Sequence, residues 1–292
     1  MVVMHCCPVC DAAPVLHRSR FHVGLLRLAR VVAPCCLFLI CHSVESHGQI
    51  QVGADVAFTT KYVWRGITRA DDAAIQPDIY VAASPGNGFL TAGWWVNLGG
   101  ASDFDLWAEY SARFQPVDGA LGWVLHSFER APGISGGNNG ELITNEVYAR
   151  LQLTTVPLDP KVSVWYDVDK VKGAYVEGSL DLRIPLLPLR LGPVRSIHLT
   201  GLAGWSAGQE VNDARPSEAA HFAESGLTHL DFSLWSSFFV AEYWSITPVL
   251  HFQINEDPIT KRTGDDPAGN SDTKLWFIIF VSWSHQFAVA ED

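Results

Sequence analysis

Hydrophobic and polar side chains alternate with a period of two along most of the chain after residue 49. In the segment E-V-Y-A-R-L-Q-L, which starts at Glu146, apolar residues take the odd positions and mostly polar residues the even ones. Successive side chains of a β-strand point to opposite faces, so the alternation predicts strands with one apolar and one polar face. The single helix candidate, 213–225, is confined to a loop by Pro216 and Gly226.

About twelve alternating runs are predicted in this way. They cover residues 50–66, 74–84, 88–98, 104–116, 120–129, 142–156, 161–169, 173–184, 195–206, 228–241, 244–255 and 274–287. Many of these runs match the roughly 9–11 residues that a tilted strand needs to cross a membrane, whereas soluble strands usually have about 5–6. From the fourth run on, long polar gaps tend to follow odd-numbered runs. The pattern predicts an all-β, antiparallel transmembrane barrel with short periplasmic turns and longer extracellular loops.

Charged residues recur at mid-run on the polar faces. An arginine or lysine facing lipid at mid-bilayer costs about 2–4 kcal/mol, so these side chains are predicted to face the lumen. The predicted lumen-lining residues are Asp55, Lys61, Arg65, Asp78, Asp105, Glu109, Arg113, Glu146, Arg150, Asp167, Glu177, Asp181, Arg183, Asp231 and His251. Carboxylates outnumber basic groups in this set, which predicts cation preference if the lumen is open.

Aromatic residues lie near the ends of many runs, as an interfacial girdle requires. The predicted girdle consists of Tyr62, Trp64, Trp94, Trp95, Trp205, Tyr243, Trp244, Trp276 and Trp283. Alternation alone also fits a soluble, exported β-sandwich that binds carbohydrate through exposed tryptophans, and this class stays open at this point.

The segment Y-V-W-R-G, residues 62–66, is predicted to finish the first strand. Tyr62 and Trp64 would face lipid, Arg65 would face the outer mouth of the lumen, and Gly66 would end or bend the strand. The candidate partners of the arginine are Asp78 and Asp105. Alternatively, this arginine only stacks and is hydrated at the rim.

Residues 1–48 differ from the rest of the chain. They contain all six cysteines, four arginines and the apolar run V-V-A-P-C-C-L-F-L-I-C, followed by small and polar residues. A basic region, a short apolar core and a small-residue exit are typical of a secretory signal peptide, and the core is too short for a normal span. We therefore expect a signal peptide or an overextended N-terminus over 1–48, and an outer-membrane barrel over 49–292.

The composition limits the possible partners. The chain has a formal net charge of −11, and removal of residues 1–48 leaves 16 basic and 29 acidic residues. This balance excludes a nucleic-acid partner, which requires a basic surface. The expected partners are outer-membrane lipid, the barrel-assembly machinery through Phe287 near the C-terminus, and small solutes or ions.

Catalytic chemistry is not predicted. An outer-membrane lipid hydrolase remains an alternative, and it would need a serine beside a histidine and a polar group that orients the histidine. His126 and Ser127 are adjacent, so they point to opposite faces of one strand, although partners on neighbouring strands stay possible. No metal or cofactor motif is identified.

Four consecutive segments carry a family resemblance: Y-V-W-R-G-I-T, I-Q-P-D-I-Y-V, G-F-L-T-A-G-W-W-V-N-L and F-D-L-W-A-E-Y. They resemble the bacterial outer-membrane-type family of unknown function called Gcw, most clearly over residues 58–128. The matching positions are Tyr62, Arg65, Gly66, Gly88, Gly93, Trp94 or Trp95, Asp105, Trp107 and Tyr110. The resemblance implies an exported chain of similar size and implies no activity.

Overall fold

The computed structural model describes residues 49–84, 88–129, 141–186, 196–210, 219–263 and 270–287. The predicted signal peptide lies outside these residues, as do residues 213–218 of the helix candidate and the tail after Phe287. No helix in the described part of the chain is long and apolar enough to cross a membrane.

The described residues form fifteen strands, which we number in chain order. They are β1 (Ile50–Thr59), β2 (Tyr62–Trp64), β3 (Ile67–Ala70), β4 (Ala74–Ala83), β5 (Gly88–Val96), β6 (Phe104–Phe114), β7 (Val117–Phe128), β8 (Leu142–Leu153), β9 (Lys161–Asp167), β10 (Ala174–Pro185), β11 (Ser196–Ala207), β12 (Gly226–Trp235), β13 (Phe238–Ala241), β14 (Trp244–Asn255) and β15 (Thr273–Phe287).

Twelve of these strands close into an antiparallel barrel. Each strand in the order β1, β4 to β12, β14, β15 pairs with the next one. The ring is closed by β15, which pairs with β1 along the whole length of β1. The short strand β13 forms a hairpin with β14, while β2 and β3 form a separate two-stranded sheet. The predicted strand number and barrel are confirmed. The soluble sandwich alternative is wrong, because one sheet closes on itself instead of two sheets stacking face to face.

The two ends of the barrel differ in their connections. At one end, here called the turn end, β1 starts, β15 finishes, and short links such as 115–116 and 154–160 join the strands. At the opposite loop end the connections are mostly longer, and they comprise 60–73, 97–103, 129–141, 168–173, 208–225 and 256–272. This asymmetry is the one expected of an outer-membrane barrel.

Large apolar side chains cover the outside of the barrel, where no other part of the described chain packs on them. Examples from strands around the ring are Phe58, Ile79, Leu121, Val147, Leu180, Leu199, Phe232, Leu250 and Leu275, each between 41% and 66% exposed. The alternate positions point inward and are mainly polar and buried. A closed sheet satisfies every strand edge, so this apolar exterior can face hydrocarbon without unpaired backbone groups.

The first predicted run was wrong in its outer third. β1 ends at Thr59, and residues 62–70 turn back as the hairpin β2–β3 instead of continuing the strand. As a result Tyr62 and Trp64, predicted to face lipid, are only 3% and 2% exposed. Trp95 and Trp276 of the predicted girdle are also buried on the inner face, whereas Trp94, Trp205 and Tyr243 are exposed on the outside.

Candidate functional site: a hairpin clamped inside the barrel

The hairpin of residues 62–70, here called the plug hairpin, reverses at Arg65 and Gly66. Both residues have positive φ angles, 48° and 80°, which is the backbone conformation of a tight two-residue hairpin turn. Glycine adopts this conformation without strain, and a Cβ at Gly66 would lie 2.6 Å from Nδ1 of His229. The turn therefore requires glycine at position 66 for both conformation and space.

Arg65, at the tip of the plug hairpin, is buried against one wall of the barrel. Its guanidinium donates two hydrogen bonds to the carboxylate of Glu146 on β8, with Nη1 2.8 Å from Oε1. The same group lies over the ring of Tyr175 at 4.6 Å from its centroid. The rings of Trp64 and Trp165 complete the contact, at 4.5 and 5.2 Å. The predicted partners Asp78 and Asp105 are wrong, because the turn points the arginine across the lumen.

The carboxylate of Glu146 extends the contact into a buried chain of charges. Its Oε2 lies 3.3 Å from Nε2 of His126, and Nδ1 of that histidine lies 2.7 Å from Oδ1 of Asp105. Glu146 is fully buried, while Asp105 and His126 are 2% and 4% exposed. Such a network is stable in a low-dielectric site only if every charge is paired, so Arg65 completes it.

The opposite wall holds the tip through its backbone. The carbonyl oxygen of Gly66 accepts hydrogen bonds from Nε2 of Gln253 at 2.9 Å and from Nζ of Lys274 at 2.8 Å. Gln253 is on β14 and Lys274 on β15, and β15 lies opposite β8 in the ring of twelve strands. The plug hairpin therefore crosses the lumen and is attached on both sides.

A second ion pair anchors the base of the plug hairpin. Arg69 donates from Nε and Nη2 to the two carboxylate oxygens of Asp103, at 2.9 and 3.0 Å, and Phe128 lies against the guanidinium. Asp103 also accepts the backbone N–H of Glu129 at 3.0 Å. Planar bidentate pairs of this kind fix orientation as well as distance.

Apolar packing closes the loop end around the plug hairpin. The buried cluster includes Tyr62, Trp64, Phe128, Tyr175 and Phe222. The rings of Tyr175 and Phe222 stack at 5.6 Å with an interplanar angle of 9°. The cluster joins the plug hairpin, three other loop-end connections and five barrel strands in one core, so the plug hairpin is part of the folded structure.

The segment 219–225 of the β11–β12 connection covers the cluster. Oδ2 of Asp257 accepts the backbone N–H groups of Ala223 and Glu224 at 3.0 and 3.2 Å. His221 is fully buried edge-on against Trp64, and its burial lowers its pKa to about 4. Its imidazole is therefore neutral at neutral pH.

Glu146, Asp167 and His221 place one possible ligand atom each within 4.8 Å of one another. Both oxygens of Glu146 already accept hydrogen bonds from Arg65. Asp167 accepts three backbone N–H groups at Oδ1 and the hydroxyl of Thr144 at Oδ2. A metal ion would have to displace these donors, so the arrangement fits a metal poorly.

A cavity of ≈ 440 Å³ lies between the plug hairpin and the turn end. It reaches from Arg65 and Gly66 at its inner end to Asp159 in the turn after β8. The charged residues that line it are Asp55, Arg65, Asp78, Asp159, Lys161, Glu177, Asp181 and Asp231, so carboxylates clearly predominate. The cavity is thus an acidic vestibule that ends at the plug hairpin.

A smaller cavity of ≈ 80 Å³ lies beside Arg65, against strands β6 to β9. Glu109 is held there by Arg150, whose Nη2 lies 2.7 Å from Oε1, and by the hydroxyl of Tyr148 at 2.9 Å from Oε2. Asp105 and His126 line the same space. Water-sized solutes could fit, but the paired charges leave little free capacity for a larger ligand.

Twelve of the fifteen predicted lumen-lining residues occupy three places, and Lys61, Arg113 and Arg183 lie outside them. The large cavity is lined by Asp55, Arg65, Asp78, Glu177, Asp181, Asp231 and His251, and the small one by Arg65, Asp105, Glu109 and Arg150. Glu146 and Asp167 are buried in the hydrogen-bonded wall around the plug hairpin. Lys61 pairs with Asp71 in the β1–β4 connection, Arg113 pairs with Asp118 at the turn end, and Arg183 is exposed.

Several inward-facing residues were absent from the prediction. They are Arg69, Asp103, His126, Lys161, His198, His229 and Lys274. Lys161, His198 and Lys274 fall on the inward positions of their strands, so a stricter use of the two-residue period would have found them. Arg69 and Asp103 lie in loop-end connections, where alternation carries no information.

The closed sheet, the apolar exterior and the polar interior define an integral β-barrel of the outer-membrane type. No family model matches the chain and no curated protein does, so the resemblance to the Gcw family stays a prediction.

Solved barrels show a distant similarity to the chain. The KdgM porin in complex with disordered oligogalacturonate is 11% identical, with a TM-score of 0.43 over 80% of this chain and 99% of that one. The NanC porin is also 11% identical, with a TM-score of 0.43 over 79% and 98%. An outer membrane channel from Pseudomonas putida F1 is 10% identical, with a TM-score of 0.42 over 83% and 97%. Similarity at this level does not bear on what enters or crosses the barrel.

Proposed function

We propose that this barrel forms a narrow, cation-preferring channel in which the plug hairpin restricts passage. The observation that carries the proposal is the acidic vestibule, in which six carboxylates accompany one arginine and one lysine. Fixed charges of one sign in a confined lumen raise the local concentration of the opposite ion. The excess of carboxylates therefore favours small cations.

Two carboxylates lie side by side on the wall of this vestibule. Asp55 on β1 stands directly opposite Asp78 on β4 in the strand register, and both are more than 90% buried. Like charges placed side by side repel each other, and an entering cation relieves this repulsion. Asp55 and Asp78 are therefore the residues proposed to contribute most to ion selection.

The reversal potential across a planar bilayer under a potassium chloride gradient tests the selectivity. The purified, folded barrel should give a potential of the sign expected for cations. The double variant Asp55→Asn/Asp78→Asn should bring it closer to zero, while Asp118→Asn at the exposed turn end should not. Anion selectivity of the unaltered protein would rule out the proposal.

The restricting role of the plug hairpin has a separate test. The double variant Arg65→Ala/Glu146→Ala removes the clamp without changing the net charge, and we expect it to increase single-channel conductance. The matched control Arg113→Ala/Asp118→Ala removes an exposed pair of the same type at the turn end. Equal conductance in both double variants would contradict the role of the plug hairpin.

We also propose an outer-membrane location, with outer-membrane lipid around the apolar exterior and the barrel-assembly machinery as the partner in insertion. The apolar exterior supports the location, and Phe287 at the end of β15 supports the assembly signal. The protein should remain in the outer-membrane pellet after a carbonate wash and should change its gel mobility on boiling. A soluble protein with unchanged mobility would exclude this location.

A further inference from the structure

Three side chains at the turn end of the lumen form a chain of hydrogen bonds. Oγ of Ser196 lies 2.9 Å from Nε2 of His198, and Nδ1 of the same ring lies 2.7 Å from Oδ2 of Asp181. One ring nitrogen thus contacts a hydroxyl and the other a carboxylate. Serine hydrolases arrange their nucleophile, general base and orienting carboxylate in this way.

The strand geometry brings these residues together. Ser196 and His198 are two positions apart on β11, so they share its inward face. Asp181 on β10 pairs with Thr200 in the register and reaches His198 on the diagonal. The arrangement therefore depends on two neighbouring strands and does not need a loop to position it.

Further contacts fix the orientation of the carboxylate and the ring. The hydroxyl of Thr200 donates to Oδ1 of Asp181 at 2.7 Å, and Nε1 of Trp235 donates to that hydroxyl oxygen at 3.0 Å. The rings of Trp235 and His198 stack with centroids 3.8 Å apart and an interplanar angle of 14°. Such supporting contacts hold a general base in the position needed for proton transfer.

The large cavity reaches the histidine and the aspartate of this cluster. Asp181, His198 and Trp235 line it, and the side chains of His198 and Asp181 keep 13% and 20% of their surface exposed. Ser196 is 9% exposed beside them. The apolar side chains of Ile278 and Phe280 on β15 line the same cavity and provide a surface for an acyl group.

We propose that Ser196, His198 and Asp181 form an esterase site for a small carboxylic ester that enters the cavity from the turn end. Oγ of Ser196 bonds to the ester carbonyl carbon while its proton passes to Nε2 of His198. The bond to the alcohol oxygen then breaks, and the alcohol leaves with that proton. Water hydrolyses the resulting acyl-serine, which releases the carboxylic acid and restores the hydroxyl. Asp181 is a positioning residue that holds the ring of His198.

The same cavity contains a matched internal comparison. Nδ1 of His251 lies 3.0 Å from Oδ1 of Asp231, and its ring stacks on Trp276 with centroids 4.6 Å apart. Within the described residues, no serine or threonine hydroxyl contacts the other nitrogen of this ring. A purely structural use of a histidine–aspartate pair should make the two sites equivalent, whereas catalysis requires the site with Ser196.

The test uses the full barrel, folded in detergent and checked by its change of gel mobility on boiling. A fluorophosphonate probe should form an adduct on Ser196, identified by peptide mass, and p-nitrophenyl butyrate should be hydrolysed. Ser196→Ala should abolish the adduct and lower kcat at least about 100-fold, because the nucleophile is lost. Asp181→Asn should lower kcat with little change in KM and should slow labelling, and His251→Gln should leave both readouts unchanged.

Two results would overturn the proposal. One is a folded, unaltered protein that shows neither the adduct nor hydrolysis. The other is an adduct or a hydrolysis rate that persists in Ser196→Ala or falls equally in His251→Gln. The esterase site does not depend on conduction, because the conductance of Ser196→Ala should equal that of the unaltered protein.

Discussion

The clamp between Arg65 and Glu146 should control the opening of the plug hairpin. The two side chains are 4% and 0% exposed, so removal of either partner leaves a buried charge without its counter-ion. Breaking a buried pair in this way costs about 3–5 kcal/mol. The contacts of Arg65 with Trp64, Trp165 and Tyr175 add to the loss when the arginine is replaced.

Hydrogen exchange of the backbone amides in residues 62–70, followed by mass spectrometry of the folded barrel, measures this opening directly. A loss of about 3–5 kcal/mol corresponds to exchange that is roughly a hundred- to several-thousand-fold faster in Arg65→Ala or Glu146→Ala. In the double variant Arg65→Ala/Glu146→Ala, neither charge of the clamp is left without its partner. Its exchange should therefore be slower than the rate expected if the free-energy losses of the two single variants were added.

The exposed pair Arg113→Ala/Asp118→Ala serves as the control and should leave exchange in this segment unchanged. The reasoning is refuted if Arg65→Ala exchanges like this control. It is also refuted if the two single effects at the clamp simply add, since additivity would mean that the two groups do not interact in the folded barrel.

Three further predictions concern other parts of the structure. Because burial lowers the pKa of His221 from 6.5 to about 4, the open segment binds more protons between these values. The protection of residues 219–225 against hydrogen exchange should therefore fall as the pH drops from 6.5 to 4 and should change little above pH 6.5. His221→Phe should remove this pH dependence. An unchanged pH profile in that variant would contradict the role assigned to His221. Gly66→Ala should speed hydrogen exchange in the plug hairpin, because residue 66 has a positive φ and an added Cβ would collide with His229. Gly178→Ala should not, because an added Cβ there has no atom within 4 Å. Val147→Arg on the apolar exterior should lower the free energy of unfolding of the barrel in lipid vesicles by about 2–4 kcal/mol, as measured by urea titration. Val156→Arg, in a turn, should leave it unchanged. Equal midpoints for these two arginine variants would contradict the membrane-facing assignment of β8.

The barrel could be predicted from the sequence because it depends on a local pattern, the alternation of apolar and polar side chains along each strand. A spanning strand must alternate at every position, and a closed sheet repeats that pattern in each strand, so even imperfect boundaries indicate the strand number. The long gaps and short gaps also identify the two ends. Two runs were misread. Y-V-W-R-G-I-T continues the alternation of β1 although the chain reverses after Thr59, and the run 228–241 contains both β12 and the separate short strand β13.

The candidate sites depend on contacts that alternation does not determine. Arg65 and Glu146 are 81 positions apart and meet across the lumen, so their pairing depends on the turn at Gly66 and on the circular order of strands. The spacing of Ser196 and His198 could have been noticed in the chain. The contact with Asp181, however, requires the register of β10 against β11.

The attachment points of the plug hairpin also constrain when it can take its place during assembly. The carbonyl oxygen of Gly66 accepts hydrogen bonds from residues 187 and 208 positions away, on β14 and β15, the last two barrel strands of the described chain. Contacts this distant in sequence form late, because the intervening chain must be ordered first. The wall that receives the hairpin is complete only when β14 and β15 have joined the sheet. A barrel that stalls before its final two strands would thus be both unsealed at its edge and unobstructed inside.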